Sequence, residues 1–220
     1  MIKNPFNSTK IIFGEGHRVK IKKIIKKKNL LIVCSERGKK EILNDKKFDF
    51  LKNNKISWID SVKPNPSIKF INSCIKKYDK KKFDFIIGIG GGSSIDTAKA
   101  IKLFFSLKKK YSMLYVIKNI KKLKKNTFIK LIAIPTTSGT GSEVTPYSTV
   151  WDDIKKKKYS LNDNFLLPEY AVIDPELTYS LGIEQTINTG LDAFNQSFES
   201  IWNKNATSQT IKYASESIGL

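Results

Sequence analysis

Two stretches of this chain carry residue types whose spacing could do chemistry. The first is Ile86-Ile87-Gly88-Ile89-Gly90-Gly91-Gly92-Ser93-Ser94-Ile95-Asp96-Thr97-Ala98-Lys99. An apolar run leads into consecutive glycines, and a helical pattern follows at once. Glycine permits positive φ and removes the Cβ that would hold an anion away from the peptide N–H groups. Such a bend can seat a phosphate or diphosphate on bare backbone at the helix N-terminus. Ser93, with Asp96 three positions later, has the spacing of a capping box. The run is not G-x-G-x-x-G, because counting from Gly88 and Gly90 the third position is Ser93. Nor is it the G-x-x-x-x-G-K-[ST] loop of phosphoryl transfer.

The second stretch is Ile134-Pro135-Thr136-Thr137-Ser138-Gly139-Thr140-Gly141-Ser142-Glu143. It joins an apolar run to a turn dense in hydroxyls and glycine, which suits contacts to a ribose or an amide. On its own it also reads as an ordinary Ser/Thr-rich turn. Further on, Asp192 and Gln196 are four apart in a helical pattern and share a face. A carboxylate and a second donor at that spacing can serve a divalent metal, and they equally suit a solvated face. His17, the only histidine, reads as a surface or turn residue.

The elements that position these groups alternate. Strands are expected at Leu30–Cys34, Ile56–Ile59, Phe83–Ile89 and Leu131–Ile134. Helices are expected over Lys39–Leu51 and from Ser94 to Leu107, and Pro64-Asn65-Pro66-Ser67 forms a rigid turn whose serine can cap the next helix. A β-α-β-α order implies a parallel sheet with helices on both faces, and ligands beyond the carboxyl ends of its strands. Both glycine turns fall there. After Asp174-Pro175 the pattern becomes helical from Ile183, with Leu191, Phe194, Phe198, Ile201 and Trp202 at helical spacing. A turn at Asn203-Lys204-Asn205 and a helix from Ala206 follow, and that helix is expected to continue past Leu220. Those aromatic residues require partner helices or a second copy to cover them.

Composition limits the partners. The formal charge is +20, from 40 Lys and Arg against 20 Asp and Glu. Only Arg18 and Arg37 are arginines, and the lysines lie in short dispersed runs such as Lys26–Lys28, Lys108–Lys110 and Lys155–Lys158. Base readout favours bidentate arginine, and no aromatic RNA platform is present, so nucleic acid is not expected as a partner. A preference for small anionic substrates is compatible with the charge. Cys34 and Cys74 are isolated and read as packed, reduced thiols. With no secretory pattern and no apolar run near 20 residues, the expectation is a cytoplasmic protein away from the membrane.

Taken together, these motifs resemble the iron-containing (group III) alcohol dehydrogenase family, whose superfamily includes glycerol dehydrogenase and dehydroquinate synthase. The matching residues are Phe13-Gly14-Glu15-Gly16, Pro64-Asn65-Pro66, Gly90–Ser93 with Asp96 and Lys99, Ile134–Glu143, Asp174-Pro175 and Thr189-Gly190-Leu191-Asp192-Ala193. The resemblance implies an α/β fold. A Rossmann-like parallel-sheet domain over residues 1–180 would be followed, over 181–220, by the start of an all-helical domain. It implies NAD or NADP held by Asn65, Gly91, Gly92, Ser93, Asp96, Thr136, Thr137, Thr140, Thr145, Lys158 and Leu177. Ser35 stands where many relatives carry a ribose-binding aspartate, and with Arg37, Lys39 and Lys40 near it NADPH remains open. The family metal, iron or zinc, is usually held by one Asp and three His. Asp192 matches the aspartate, whereas Gln196 stands where the first histidine would be. The implied reaction is hydride transfer between an alcohol and an aldehyde in a homo-oligomer. The stretch Glu199–Ala206 is similar to members that reduce phosphonoacetaldehyde. A non-catalytic nucleotide-binding module and a glycerol dehydrogenase- or dehydroquinate synthase-like enzyme are the alternatives.

Overall fold

The computed structural model describes residues 1–4, 7–107, 111–125 and 129–219; the Lys108–Lys110 run lies outside them. In chain order the regular elements are β1 (Ile2–Lys3), β2 (Lys10–Phe13), α1 (Lys22–Ile25), β3 (Asn29–Val33), α2 (Glu36–Asn44), β4 (Lys55–Ile59) and α3 (Ile68–Tyr78). There follow β5 (Phe85–Gly90), α4 (Gly92–Phe105), α5 (Met113–Asn119), β6 (Lys130–Pro135), β7 (Tyr147–Asp152) and β8 (Lys157–Asn162). The last are β9 (Tyr170–Ile173), α6 (Ile183–Trp202) and α7 (Ser208–Ile218).

Among the described residues the main sheet has the order β1-β2-β9-β6-β5-β3-β4, parallel throughout except for β1. The expected α/β parallel sheet is therefore present. Its central strands are continuous apolar runs because both faces are covered. Along β3 the side chains alternate between two cores. Leu31 and Val33 join Ile71 of α3, Ile101 of α4 and Val116 of α5. Leu30 and Ile32 join Ile21, Ile25 of α1 and Ile42 of α2 on the other face. Each such side chain contributes about 1.5–3 kcal/mol by leaving water.

Local chemistry sets the boundaries. Ser67 caps α3 as expected, its Oγ accepting from Phe70 N at 3.1 Å. The single helix expected over Lys39–Leu51 is instead two pieces: α2, then a 3-10 turn at Lys46–Asn53. Asp45 divides them with an extended backbone. Its Oδ1 accepts from Lys47 N at 2.8 Å, and its Oδ2 meets the Arg18 guanidinium at 2.8 Å. The second helix after the sheet begins at Ser208, capped by Thr207, because Ala206 is still closing the Asn203 turn. It ends at Ile218, with Gly219 N donating to Ser215 and Glu216 carbonyls.

The hydroxyl-rich turn approaches α6 closely. A Cβ on Gly139 would lie 2.2 Å from the Thr189 carbonyl oxygen, so only glycine lets the hydroxyl-rich turn lie against α6. On its outer side α6 exposes Ile183, Ile187, Leu191 and Trp202. Along its length Phe194 stacks on Phe198 at 5.6 Å, and Phe198 meets Trp202 edge-on at 4.7 Å.

Candidate functional site

The carboxyl ends of β5 and β6 both open into glycine-bearing bends. β5 ends at Gly90, whose φ of +140° is one that a side chain rarely adopts. A Cβ there would also lie 2.6 Å from Ser94 Oγ. Gly91 is the N-cap of α4, and no side chain caps that helix. The expected Ser93–Asp96 capping box is therefore not formed. Asp96 points away from its own N-terminus, its Oδ1 accepting from Ser142 Oγ at 2.7 Å and its Oδ2 from Thr149 N at 2.8 Å. The first turn of α4 is left without a carboxylate competing for its amides, which is what a bound anion requires. A Cβ on Gly92 would stand 3.0 Å from Thr140 Cγ2, so the bend and the hydroxyl-rich turn face each other closely.

Between them lies a cleft with two lobes. The first, about 760 Å³, is lined by Ser35, Gly91, Thr136, Thr137 and Leu177, among others. The second, about 680 Å³, is lined by Asn65, Asp96, Thr145, Lys158, Asp192 and Gln196, among others. Gly92, Ser93 and Thr140 belong to both. Every residue singled out in the sequence as a cofactor or metal contact thus lines one continuous cleft. Asn65 adopts a φ of +57° between its two prolines. The neighbouring Pro66 carbonyl accepts from Trp151 N at 3.0 Å, which docks the β7–β8 hairpin and brings Lys158 to the second lobe.

A larger cavity of about 1220 Å³ lies at the amino ends of β5 and β6, against Phe83, Phe104 and Lys130. It is far from both glycine bends, at the end of the sheet where α/β folds do not hold nucleotides.

At the first lobe, Ser35 Oγ is occupied as the N-cap of α2, accepting from Gly38 N at 3.0 Å. Arg37 lines the lobe with its side chain 70% exposed, pairing with Glu41 at 2.8 Å. Lys39 and Lys40 do not reach the lobe. Lys39 binds Asp60 at 2.5 Å, holding that carboxyl below its usual range, and Lys40 pairs with Glu36 at 3.2 Å. His17 is half-buried, with Lys20 Nζ 2.8 Å from its ring, and plays no part in the cleft.

The sequence assigned no role to the groups that hold the cleft from behind. Arg18 is 4% exposed and Asp174 is 1% exposed. Arg18 Nη1 donates to Asp174 Oδ2 at 2.6 Å and to Glu176 Oε2 at 2.9 Å. Burial alone would raise the Asp174 pKa, but Arg18 and the backbone amides of Arg18 and Gly16 carry it below the usual carboxylate range. Lys99 is fully buried, and burial lowers its pKa from 10.5 to about 8 against the pull of Asp96 and Glu143. Burial likewise raises Asp96 and Glu143, opposed in both by Lys99. Lys99 stood in the glycine motif three positions after Asp96, a spacing that places the two on one helix face.

For a metal the donor set is short. Gln196 Nε2 donates to Asp192 Oδ2 at 3.1 Å, so the two side chains satisfy each other. Among the described residues no group of three or more His, Cys, Asp or Glu could hold an ion. Two oxygen donors do not make the four-coordinate site that iron or zinc takes.

Comparison with known proteins places this geometry in a family. A family model described as iron-containing alcohol dehydrogenase matches residues 8–175. The NADPH-dependent butanol dehydrogenase of Clostridium saccharobutylicum is 32% identical over 192 residues, covering 86% of this chain and 49% of that protein. The iron-containing alcohol dehydrogenase structure from Thermotoga maritima superposes with a TM-score of 0.80 at 30% identity, covering 98% of this chain and 59% of that one. The sulfoacetaldehyde reductase of Bifidobacterium kashiwanohense, solved with NAD+, has a TM-score of 0.79 at 27% identity, covering 93% and 54%. This chain spans about half the length of such relatives. The matched span includes both glycine bends and the Arg18–Asp174 pair beneath them, and on that match the chain belongs to the iron-containing alcohol dehydrogenase family.

Proposed function

We propose that this chain forms the nucleotide-binding part of an NAD(P)-dependent oxidoreductase that interconverts an alcohol and an aldehyde. Residues 1–180 act as the dinucleotide-binding unit, and residues 181–220 as the first helices of a helical unit beside it. The observation that carries this is the uncapped α4 N-terminus behind consecutive glycines, opening into the two-lobed cleft.

The Gly91–Ser93 amides receive the diphosphate, with Thr137 and Thr140 closing over it from the facing turn. Ser35 and Leu177 border the adenosine side. Asn65, Thr145 and Lys158 border the other lobe, and Asp96 holds that lobe's wall. A bound nicotinamide supplies the hydride exchanged with the carbonyl or carbinol carbon. Asp192 and Gln196 face the same lobe, where they present polar contacts to a substrate.

Ser35 brings no carboxylate against a 2′-phosphate, and Arg37 stands beside it, so both NADH and NADPH fit the first lobe. An anionic aldehyde would find Lys158 in the second lobe, set against the carboxylates of Asp96, Asp192 and Glu199, and the chain's net charge of +20 is what favours it. A homo-oligomer belongs to the same reading, supported by the exposed apolar side of α6. The cytoplasm is the proposed location, supported by the free, buried Cys34 and Cys74. No helix among the described residues is long and apolar enough to cross a membrane.

A second reading, a nucleotide-binding protein without turnover, is favoured by the incomplete donor set around Asp192. Titration with NADH and NADPH tests the first claim. Binding of either is the expected result, and no binding at millimolar concentration of both refutes it. NADH oxidation with butanal and with sulfoacetaldehyde in the presence of Fe²⁺ or Zn²⁺ separates the two readings.

A further inference from the structure

Lys99 is fully buried, and nothing in hydride transfer calls for a buried ammonium there. It lies on α4, about two turns after the glycine bend and three residues after Asp96. Its Nζ donates to Ser142 Oγ at 3.1 Å, to the Thr145 carbonyl at 2.8 Å and to the Tyr147 carbonyl at 2.6 Å. Asp96 grips the same segment from the other side through Ser142 Oγ and Thr149 N. Ser142, Thr145, Tyr147 and Thr149 all line the second lobe. Two charged side chains of the phosphate-binding helix therefore hold the wall of the neighbouring lobe at several points.

Resting on the nucleotide-binding reading above, we propose that Lys99 is a positioning residue of the cleft, fixing segment 142–149 to α4 so that both lobes receive one dinucleotide together. Three N–H groups on a tetrahedral ammonium match the oxygens around it. Burial makes these charge-assisted bonds stronger than the same bonds in water. A neutral amine has one donor fewer and removes a positive charge from beneath an anion. The charged groups facing Lys99 are Asp96 and Lys102 on its own helix and Glu143 on the turn; Lys158 faces Asp96. With the Lys99 pKa lowered to about 8, its charge changes within a range open to measurement.

Lys102 provides the control. It is equally buried on the same helix, but its Nζ bonds the Leu167 carbonyl at 3.2 Å and Glu169 at 2.9 Å, away from the cleft. Lys99→Met and Lys102→Met are compared with the unaltered chain by calorimetric titration with NADH and NADPH from pH 6.5 to 9.5. Amide hydrogen exchange of residues 142–149 is read in parallel. Lys99→Met is expected to weaken binding by about tenfold or more, the scale of a lost hydrogen bond to a charged group. It should also speed exchange in 142–149 and flatten the fall in affinity expected of the unaltered chain above pH 8. Lys102→Met is expected to bind within about twofold of the unaltered chain, since it leaves the cleft wall intact. Equal binding by Lys99→Met and the unaltered chain, or equal weakening in both variants, overturns the proposal. If the unaltered chain binds neither nucleotide, the nucleotide-binding reading falls and takes this inference with it; the exchange data then show whether the clamp itself exists.

Discussion

Replacing Gly139 by alanine probes whether the hydroxyl-rich turn and α6 are one unit. The new methyl would lie 2.2 Å from the Thr189 oxygen, 2.9 Å from its carbonyl carbon and 3.1 Å from its Cβ. Gly139 does not occupy the positive-φ region, so the backbone accepts alanine and the penalty is steric. Two of these three contacts are backbone atoms of a helix, which cannot rotate aside. The helix and the turn must separate by about 1 Å, and close-packed interiors resist such shifts. Overpacking of this kind costs about 1–3 kcal/mol. For a protein of this size each kcal/mol lowers the melting midpoint by roughly 2–4 °C, so a fall of about 2–12 °C is expected. Nucleotide affinity should fall as well, because Thr137 and Thr140 flank Gly139 and Asp192 lies one helical turn beyond Thr189. Gly190→Ala is the matched control: its methyl meets nothing within 4 Å, and alanine in a helix interior is worth up to about 1 kcal/mol more than glycine. Thermal melts of the two variants should therefore differ in sign, and Gly190→Ala should leave NADH affinity unchanged. A Gly139→Ala protein with unchanged melting point and unchanged affinity would refute the contact.

Gly92→Ala should leave stability near the original value while lowering NADH affinity, because its Cβ narrows the gap to Thr140, 3.0 Å away; titration and melting measured together separate the two effects. Asp174→Asn breaks the buried pair with Arg18 and should cost about 3–5 kcal/mol in urea unfolding. The folded Asp174 pKa lies below 3.8, so its stabilisation is complete above that value and is lost as pH falls through the folded pKa. Asp174→Asn should therefore lose less stability than the unaltered chain across that acid window. For Lys99 the slope has the same sign, stability rising with pH, but here it is the neutral form that the folded state favours. The folded pKa of about 8 lies below the ordinary 10.5, so the unaltered chain should gain stability over Lys99→Met as pH rises between those values. Cys34 is fully buried, with its thiol pushed up to about 12, so a thiol reagent should modify it only after unfolding, as mass spectrometry would show.

The central strands and their glycine bends were legible because a parallel sheet buried on both faces leaves long apolar runs, and Gly90–Gly92 break such a run abruptly. The short strands β2 and β9 were not. β2 and β9 are each four residues long, and their pairing with each other spans most of the chain. The β7–β8 hairpin was hidden among lysines, and its turn uses Lys156 at a φ of +47° where glycine or asparagine would have signalled it. The residues lining the cleft were legible through family motifs. The roles of the groups behind it were not: Lys99 and Asp174 stood in those motifs without an assigned partner, and Arg18 and Lys102 carried no signal in a chain so rich in lysine. Asp96 illustrates the limit of spacing: three residues after Ser93 it looks like a cap, yet its partners come from a segment 46 residues away.

The place of β9 between β2 and β6 has a consequence for synthesis. While the ribosome is still making residues before Tyr170, β6 presents a bare hydrogen-bonding edge, and β2 has no inner neighbour to join. Only when β9 emerges can Gly16 and Arg18 find Asp174, more than 150 positions along the polypeptide. The amino terminus is made first and locked last, so a nascent chain stalled before this point would be an open-edged target for chaperones or for pairing with another chain.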